Sequence, residues 1–400
     1  MAQKRVVCVW ELGSTLGHLG EMLPVMRTLD NHHLPIALMV RELHGIVGLN
    51  LPAMPVLQSP VWTLQVGGLP DPPLSFAEIL LRYGYHDADC LQGLVTGWCS
   101  AFEALNAQAV IANYSPTALL AARILGLPAI TLGSGFNLPP RVNPVPNMRP
   151  WVPVPVERLV EADRWVTRNI NIVLDRYHRP PLRSVADLFD VAANLLCTFP
   201  ELDHYAFRIA EMQRAFYVGS MIEAKGKPVD WPDGDDPCVL VYLRPEVKAL
   251  EPMMQALKAA DCRIVAFIPG LSATQQAQWQ SPNCRIVDEL IKLDHLLPTC
   301  DLAINYAGHG FVSDVLMAGV PLLLMPMHLE QYLMGQRVMA IGAGIVTDME
   351  GNSDYPELVR KMLTDKSFKQ AAAGFAAKYA DFDPVAQRNM IVQTIKSLIE

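Results

Sequence analysis

No stretch of this 400-residue sequence is both long and apolar enough to cross a bilayer. The longest near-apolar run, residues 315–327, is broken by Gly319 and Pro321 and falls short of the roughly 20 residues a membrane helix needs. The opening MAQKRVVCVWELGSTLGH holds an apolar run that stops at Glu11, so it reads as a first strand rather than an export signal. The expectation is a cytoplasmic protein with no integral membrane segment. Equally absent is any block of Lys and Arg. With 32 basic against 40 acidic residues and a formal charge of −8, the chain has no general attraction for phosphate polyanions, and nucleic acid is not an expected partner. The eight cysteines (Cys8, Cys90, Cys99, Cys197, Cys238, Cys262, Cys284 and Cys300) form no C-x-x-C pair. They read as small buried hydrophobes in a reducing compartment.

What is present is apolar and organised. At 51% hydrophobic and 18% charged, 400 residues can fill more than one core, since single cores stop growing near roughly 250–300 residues. Short apolar runs alternate with helical patterns in both halves, the signature of parallel sheets with crossover helices, so the fold class is α/β. Strands are expected near residues 5–10, 35–40, 109–113, 128–132 and 194–199, then near 238–243, 263–268, 303–305 and 321–325. Helical stretches are expected at 19–29, 88–106, 116–125, 157–177 and 384–398. A Pro, Gly and Asp-rich segment, 219–236, reads as a linker between domains 1–218 and 237–383. Residues 133–156, GSGFNLPPRVNPVPNMRPWVPVPV, cannot be helix or interior strand because of their prolines, and read either as a stiffened surface loop or as a lid.

The most informative segment is INYAGHGFVSDVLMAG followed by VPLLLMPMHLEQYLMGQRVMAIGAG. An apolar strand runs into Gly308-His309-Gly310 and then into a helical pattern, which puts unpaired backbone N–H groups beside glycines that permit close approach, a place where a phosphate fits. Here the chain resembles the family 1 glycosyltransferases, whose signature runs His-Gly-Gly-x-Gly-Thr, an acidic residue, Gly-Val-Pro, Pro and Asp-Gln. Gly319-Val320-Pro321, Pro326, Glu330-Gln331 and Gly342-Ala343-Gly344 keep step with it, and Gly17-His18 follows the first strand as in that family.

The resemblance implies a GT-B architecture of two Rossmann-like domains facing each other across a cleft. Acceptor binding would fall to 1–218, nucleotide-sugar binding to 237–383, and residues 384–400 would form a helix returning to the first domain. It places Tyr306, Gly308, His309 and Gly310 at the donor diphosphate, Asp314 at the ribose hydroxyls, and Glu330 and Gln331 at the sugar hydroxyls. It makes His18 the general base and puts Asn113 where the family usually orients that base with an aspartate. Histidine suits the role because its ordinary pKa lies close to neutrality.

The departures are specific. The family's phosphate histidine is Tyr306 and its threonine is Phe311. A Gly-Ser turn is replaced by Leu243-Arg244-Pro245, where Arg244 can return positive charge to the diphosphate. The base-stacking tryptophan falls at about Leu290. Asn113 can hold a histidine tautomer but stabilises its cation less than a carboxylate does, so either the acceptor is acidic or another carboxylate helps. Glu21, three residues beyond His18 on the same helical face, and Glu11 are the candidates.

No metal site is expected: Asp233-Gly234-Asp235 lies in the linker, and His328 and Glu330 do not face each other on a helix. The sequence therefore reads as an inverting, metal-independent glycosyltransferase without a cofactor. Its co-substrate is a nucleotide sugar, UDP- or TDP-linked, and its acceptor is small and apolar, with Trp62, Phe76, Tyr83, Tyr85 and Trp98 as candidate lining residues. The alternatives are a nucleotide-sugar-binding partner protein that has lost catalysis and a sugar-nucleotide epimerase of the same fold.

Overall fold

The computed structural model describes residues 3–13, 17–208, 215–221 and 226–400. The chain divides into two compact units. One comprises Met1–Phe199, Phe207–Met221 and Asp383–Glu400; the other comprises Pro200–Ala206 and Ile222–Phe382.

The first unit is built on seven parallel strands: β1 (Arg5–Trp10), β2 (Ile36–Val40), β3 (Val56–Gln58), β4 (Ala107–Asn113), β5 (Ala129–Gly133), β6 (Ala193–Leu196) and β7 (Ala215–Tyr217). Their order is β3-β2-β1-β4-β5-β6-β7. The central strands RVVCVW, IALMV and AITLG are apolar except for Arg5 and Thr131 and almost wholly buried, as strands covered by helices on both faces must be. The second unit carries β8 (Cys238–Tyr242), β9 (Arg263–Phe267), β10 (Cys284–Val287), β11 (Leu302–Asn305), β12 (Leu322–Leu324) and β13 (Gly344–Val346). These are also parallel, in the order β10-β9-β8-β11-β12-β13. Val239, Val241, Leu257, Ile264, Leu302 and Leu323 form the centre of its core. The expected α/β class, with two Rossmann-like parallel sheets, is what the chain adopts. The short edge strands β3 and β7, along with β10 and β13, were not anticipated. All eight cysteines are free, and all but Cys90 are buried.

The segment expected to be a linker is fastened to the second unit over most of its length. Residues 222–225 lie outside the described residues, but from Gly226 onward the backbone is tied down. Lys227 N donates to Leu290 O at 2.8 Å, Lys292 N returns a bond to Lys227 O at 2.9 Å, and Trp231 Nε1 reaches Thr299 Oγ1 at 3.0 Å. A Cβ at Gly226 would lie 2.4 Å from the Ile291 carbonyl carbon, so only glycine lets the backbone approach this closely. Composition marked the segment as turn-rich; it could not show that its carbonyls and amides already had partners.

The long proline-rich loop packs into the first unit. Met148 N donates to Leu74 O at 2.7 Å, Val145 N to the buried Asp163 carboxylate at 3.1 Å, and Arg149 Nε to Pro73 O at 3.3 Å. The last helix, Pro384–Ile399, belongs to the first unit, where Ile391, Val392 and Ile395 are fully buried and Lys396 Nζ stands 3.3 Å from His32 Nδ1. No helix among the described residues is long and apolar enough to cross a membrane.

Candidate active site

In open parallel sheets, ligands gather beyond the carboxyl ends of the strands where the strand order reverses. In the first unit that point lies between β1 and β4. β4 ends on Asn113, and the helix Gly17–Asn31 that follows β1 brings His18 against it. His18 Nδ1 and Asn113 Oδ1 are 2.8 Å apart, and Asn113 Nδ2 donates to Glu21 Oε2 at 2.7 Å. The three side chains that the sequence nominated thus form one buried chain.

Hydrogen-bond logic fixes their orientation. A carboxylate only accepts, so the amide NH2 faces Glu21; the amide oxygen then faces His18, whose Nδ1 must carry the proton. The unprotonated nitrogen of His18 is Nε2. Burial lowers the His18 pKa to about 4, against the raising effect of the Asn113 bond and with a further lowering from Arg41, so the ring is neutral at physiological pH. The Trp10 ring stacks on it at 5.4 Å between centroids, and Tyr114 lies at 5.7 Å. Gly13, at φ +83°, leaves room for the imidazole: a Cβ there would sit 2.3 Å from Nε2.

Glu11 has other work. Its Oε2 accepts from Thr117 N at 2.9 Å, capping the helix Pro116–Leu125, whose own N-cap Ser115 makes no side-chain cap. Burial raises its pKa to about 7, partly offset by the bonds from Thr117. From Tyr114 an apolar ring series continues through Phe76 and Phe136, with Phe189 edge-on to Phe76. Of the aromatics singled out in the sequence, Phe76 joins this series. Trp98 packs on Phe102, Trp62 on His86, and Tyr85 bonds Thr117; no ring contact of Tyr83 with the series is found among the described residues.

In the second unit the order reverses between β8 and β11. Arg244 follows β8, and Tyr306 to Gly310 follow β11. Asn305, which the sequence reading did not single out, shapes this turn: its Nδ2 donates to Tyr242 O at 3.1 Å and its Oδ1 accepts from Gly308 N at 2.9 Å. Gly308 is the N-cap of the helix His309–Met317, and a Cβ on it would sit 3.1 Å from the Tyr306 ring. The two departures from the family signature are explained together. Tyr306 and Phe311 both meet Tyr242 edge-on, at 5.3 and 5.4 Å, with the Arg244 guanidinium 5.8 Å from the centre of the Tyr306 ring. Together they form an aromatic cluster carrying one cation.

Farther along that helix, burial pushes the Asp314 carboxyl up to about 7, and no side-chain hydrogen bond to it is found among the described residues. His309 is held neutral by burial, with its pKa lowered to about 4. Both its ring nitrogens are sealed from water without a hydrogen-bond partner among the described residues. Glu330 and Gln331 open the helix Leu329–Ala340. Gln331 is buried, and its Oε1 accepts from Met327 N at 2.8 Å. Leu290, which the resemblance put at the base-stacking position, is exposed. Among the described residues no group of three or more His, Cys, Asp or Glu could hold a metal ion.

Residues 251–396 match the family described as erythromycin biosynthesis protein CIII-like, C-terminal domain. The chain is 31% identical over 99 residues to a sterol 3-beta-glucosyltransferase of Vanderwaltozyma polyspora, spanning 25% of this chain and 8% of that protein. It is 31% identical over 150 residues to an aklavinone 7-beta-L-rhodosaminyltransferase of Streptomyces galilaeus, spanning 35% of this chain and 31% of that one. The matches thus reach less than a third of either relative's length. Over nearly the whole chain the fold is similar to the glycotransferase of kitacinnamycin, with TM-score 0.71, 17% identity and 98% of each chain covered. It is also similar to the glycosyltransferase SsfS6 of Streptomyces sp. SF2575, solved with thymidine diphosphate, with TM-score 0.62, 16% identity, and 97% of this chain and 99% of that one covered. Residues 251–396 thus resemble an erythromycin biosynthesis protein CIII-like C-terminal domain, and the chain shares the two-sheet fold of these glycosyltransferases.

Proposed function

We propose that the protein transfers a sugar from a TDP- or UDP-sugar to a small apolar acceptor, with inversion and without a metal ion, and that His18 is the general base. The observation that carries this reading is the His18–Asn113 bond, which leaves Nε2 as the proton acceptor beside the switch point of the first sheet. In the reaction, Nε2 takes the proton of an acceptor hydroxyl as its oxygen forms a bond to the anomeric carbon. The bond from that carbon to the diphosphate breaks, and the pair of electrons leaves with the phosphate. A single displacement inverts the anomeric centre.

The leaving charge falls to the helix N-terminus at Gly308–Gly310, with His309 beside it, and to the guanidinium of Arg244. Asp314 would accept from the ribose, and Glu330 with the Gln331 amide would read the sugar hydroxyls. Tyr306 contributes a phenol where the family has a histidine. A thymidine diphosphate in a glycosyltransferase of the same fold supports the choice of donor, and the aromatic series beyond Tyr114 supports an apolar acceptor. Eight free cysteines fit a reducing, cytoplasmic setting.

The test is transfer from TDP- and UDP-glucose to a series of phenolic and alcoholic acceptors, read as product formed. His18→Ala should lower the rate about 10²–10⁴-fold with donor affinity unchanged. Binding of neither nucleotide sugar, or release of epimerised sugar nucleotide with no acceptor present, would overturn the reading.

A further inference from the structure

A histidine base whose Nδ1 is held by an amide has two ways to stabilise the imidazolium formed on proton transfer: rely on the substrate, or keep a negative charge nearby. Asn113 is fully buried and bonded at both ends, its oxygen to His18 Nδ1 and its NH2 to Glu21 Oε2, at 2.8 and 2.7 Å. Glu21 is itself buried and stands three residues from His18 on the same helix. We propose that Glu21 is the charge partner of the base, acting through Asn113 as a positioning residue. The carboxylate stands one hydrogen bond beyond the amide at the end of β4, on the helix that bears the histidine. This inference rests on the reading of His18 as general base and deepens it.

Three physical consequences support the assignment. First, the amide cannot turn over: reversed, it would aim its oxygen at the Glu21 carboxylate and its NH2 at Nδ1–H, so both bonds would be lost together. Glu21 thereby locks the His18 tautomer with Nε2 free. Second, each bond polarises the next, so positive charge arising on the ring is felt at the carboxylate across the amide. Third, among the described residues the other charged groups near the ring do not serve. Arg41 disfavours the imidazolium, and Glu11 caps the helix Pro116–Leu125. Trp10 and Tyr114 meet the ring with aromatic faces and edges. The arrangement also makes Asn113→Asp alone unfavourable, because the new carboxylate would meet the Glu21 carboxylate at the distance where the amide NH2 now donates.

The experiment is a charge-relocation cycle on the full chain: Glu21→Gln, Asn113→Asp and the double variant. Transfer rates, donor KM, melting temperature and the His18 ring 15N shifts at neutral pH are measured for each. Glu21→Gln should lower kcat about 10–100-fold, the loss seen when a carboxylate behind a metal-bound histidine is removed. Donor KM should stay unchanged, and the single His18 tautomer should become a mixture. Asn113→Asp alone should also lose activity. In the double variant the aspartate accepts directly from Nδ1–H and from the glutamine NH2, so kcat and the single tautomer should return. Parental kcat and tautomer in Glu21→Gln, or a double variant no better than either single, overturns the assignment. If the parent itself transfers no sugar, the reading of function fails, while the tautomer populations still decide whether Glu21 governs the ring.

Discussion

The closeness of Gly13 to His18 makes a single methyl group a probe of the proposed base. At Gly13→Ala the added carbon would lie 2.3 Å from Nε2 on a backbone at φ +83°, so either the turn or the imidazole must move. Transfer should fall at least about 10-fold with donor affinity unchanged, as a misplaced reacting group demands; parental activity would show that the ring has room to yield. Asp314 offers a test by pH. Its carboxyl titrates near 7 in the folded chain against 3.8 as its ordinary value, so the folded state binds the proton more tightly than the unfolded one. Stability therefore falls as pH rises from about 4 to about 7 and is level above, by at most about 4 kcal/mol. Asp314→Asn should flatten that slope, melting higher than the parent at pH 8 and no higher at pH 4. Equal differences at both pH values would show that burial does not set this titration. Residues placed by their neighbours in sequence could be nominated from it: the glycines of the 306–310 turn, His18, and Glu21 from its spacing, whose functional roles stay proposals. Asn305 and Gly13 were not, because their roles arise from partners that only folding brings close, Tyr242 for Asn305 and the imidazole for Gly13.

Among elements, buried strands announced themselves and edge strands did not. β1, β2, β5 and β8 read as nearly continuous apolar runs because both faces are covered. β3 and β13 are three residues each, with partly exposed side chains, and a tripeptide such as VLQ carries no period. The proline-rich loop shows a different limit: its sequence excluded regular structure, but what holds it is a carboxylate elsewhere. Glu78 is buried and receives Arg158 Nε at 2.7 Å, Arg158 Nη2 at 2.9 Å and Leu74 N at 2.8 Å, tying the helix Val156–Arg176 to the segment on which the loop rests. Removing the guanidinium leaves that carboxylate buried with one backbone donor. Arg158→Ala should cost about 3 kcal/mol, whereas Glu78→Gln with Arg158→Met, which removes both charges, should cost less. Chemical unfolding of the two proteins checks this, and a larger loss in the double variant would contradict it.

At the scale of the whole molecule, the chain ends in a unit other than the one it has just built. It leaves the second unit after Phe382 and finishes in the first, where the helix Pro384–Ile399 packs on the helix Gly17–Asn31. Ile391, Val392 and Ile395 are wholly buried there, and the helix starts cleanly because Asp383 Oδ1 accepts from Val385 N and Pro384 takes the first turn. Fully burying three branched aliphatic side chains stabilises by roughly 5–9 kcal/mol before the entropy of ordering the helix is counted, a large share of what holds any single domain together. The helix they cover is the one that presents His18 and Glu21. Deletion of residues 383–400 should therefore destabilise the first unit selectively, and melting should resolve into two transitions with the earlier one assigned to that unit. Ile391→Ala with Ile395→Ala should reproduce the effect in a full-length chain, at about 2–5 kcal/mol for each truncation. Binding of a nucleoside diphosphate, which the reading places wholly in the second unit, should survive both changes. If nucleotide affinity is lost together with the first transition, the donor site depends on the first unit and the assignment of the donor to the second unit alone is wrong.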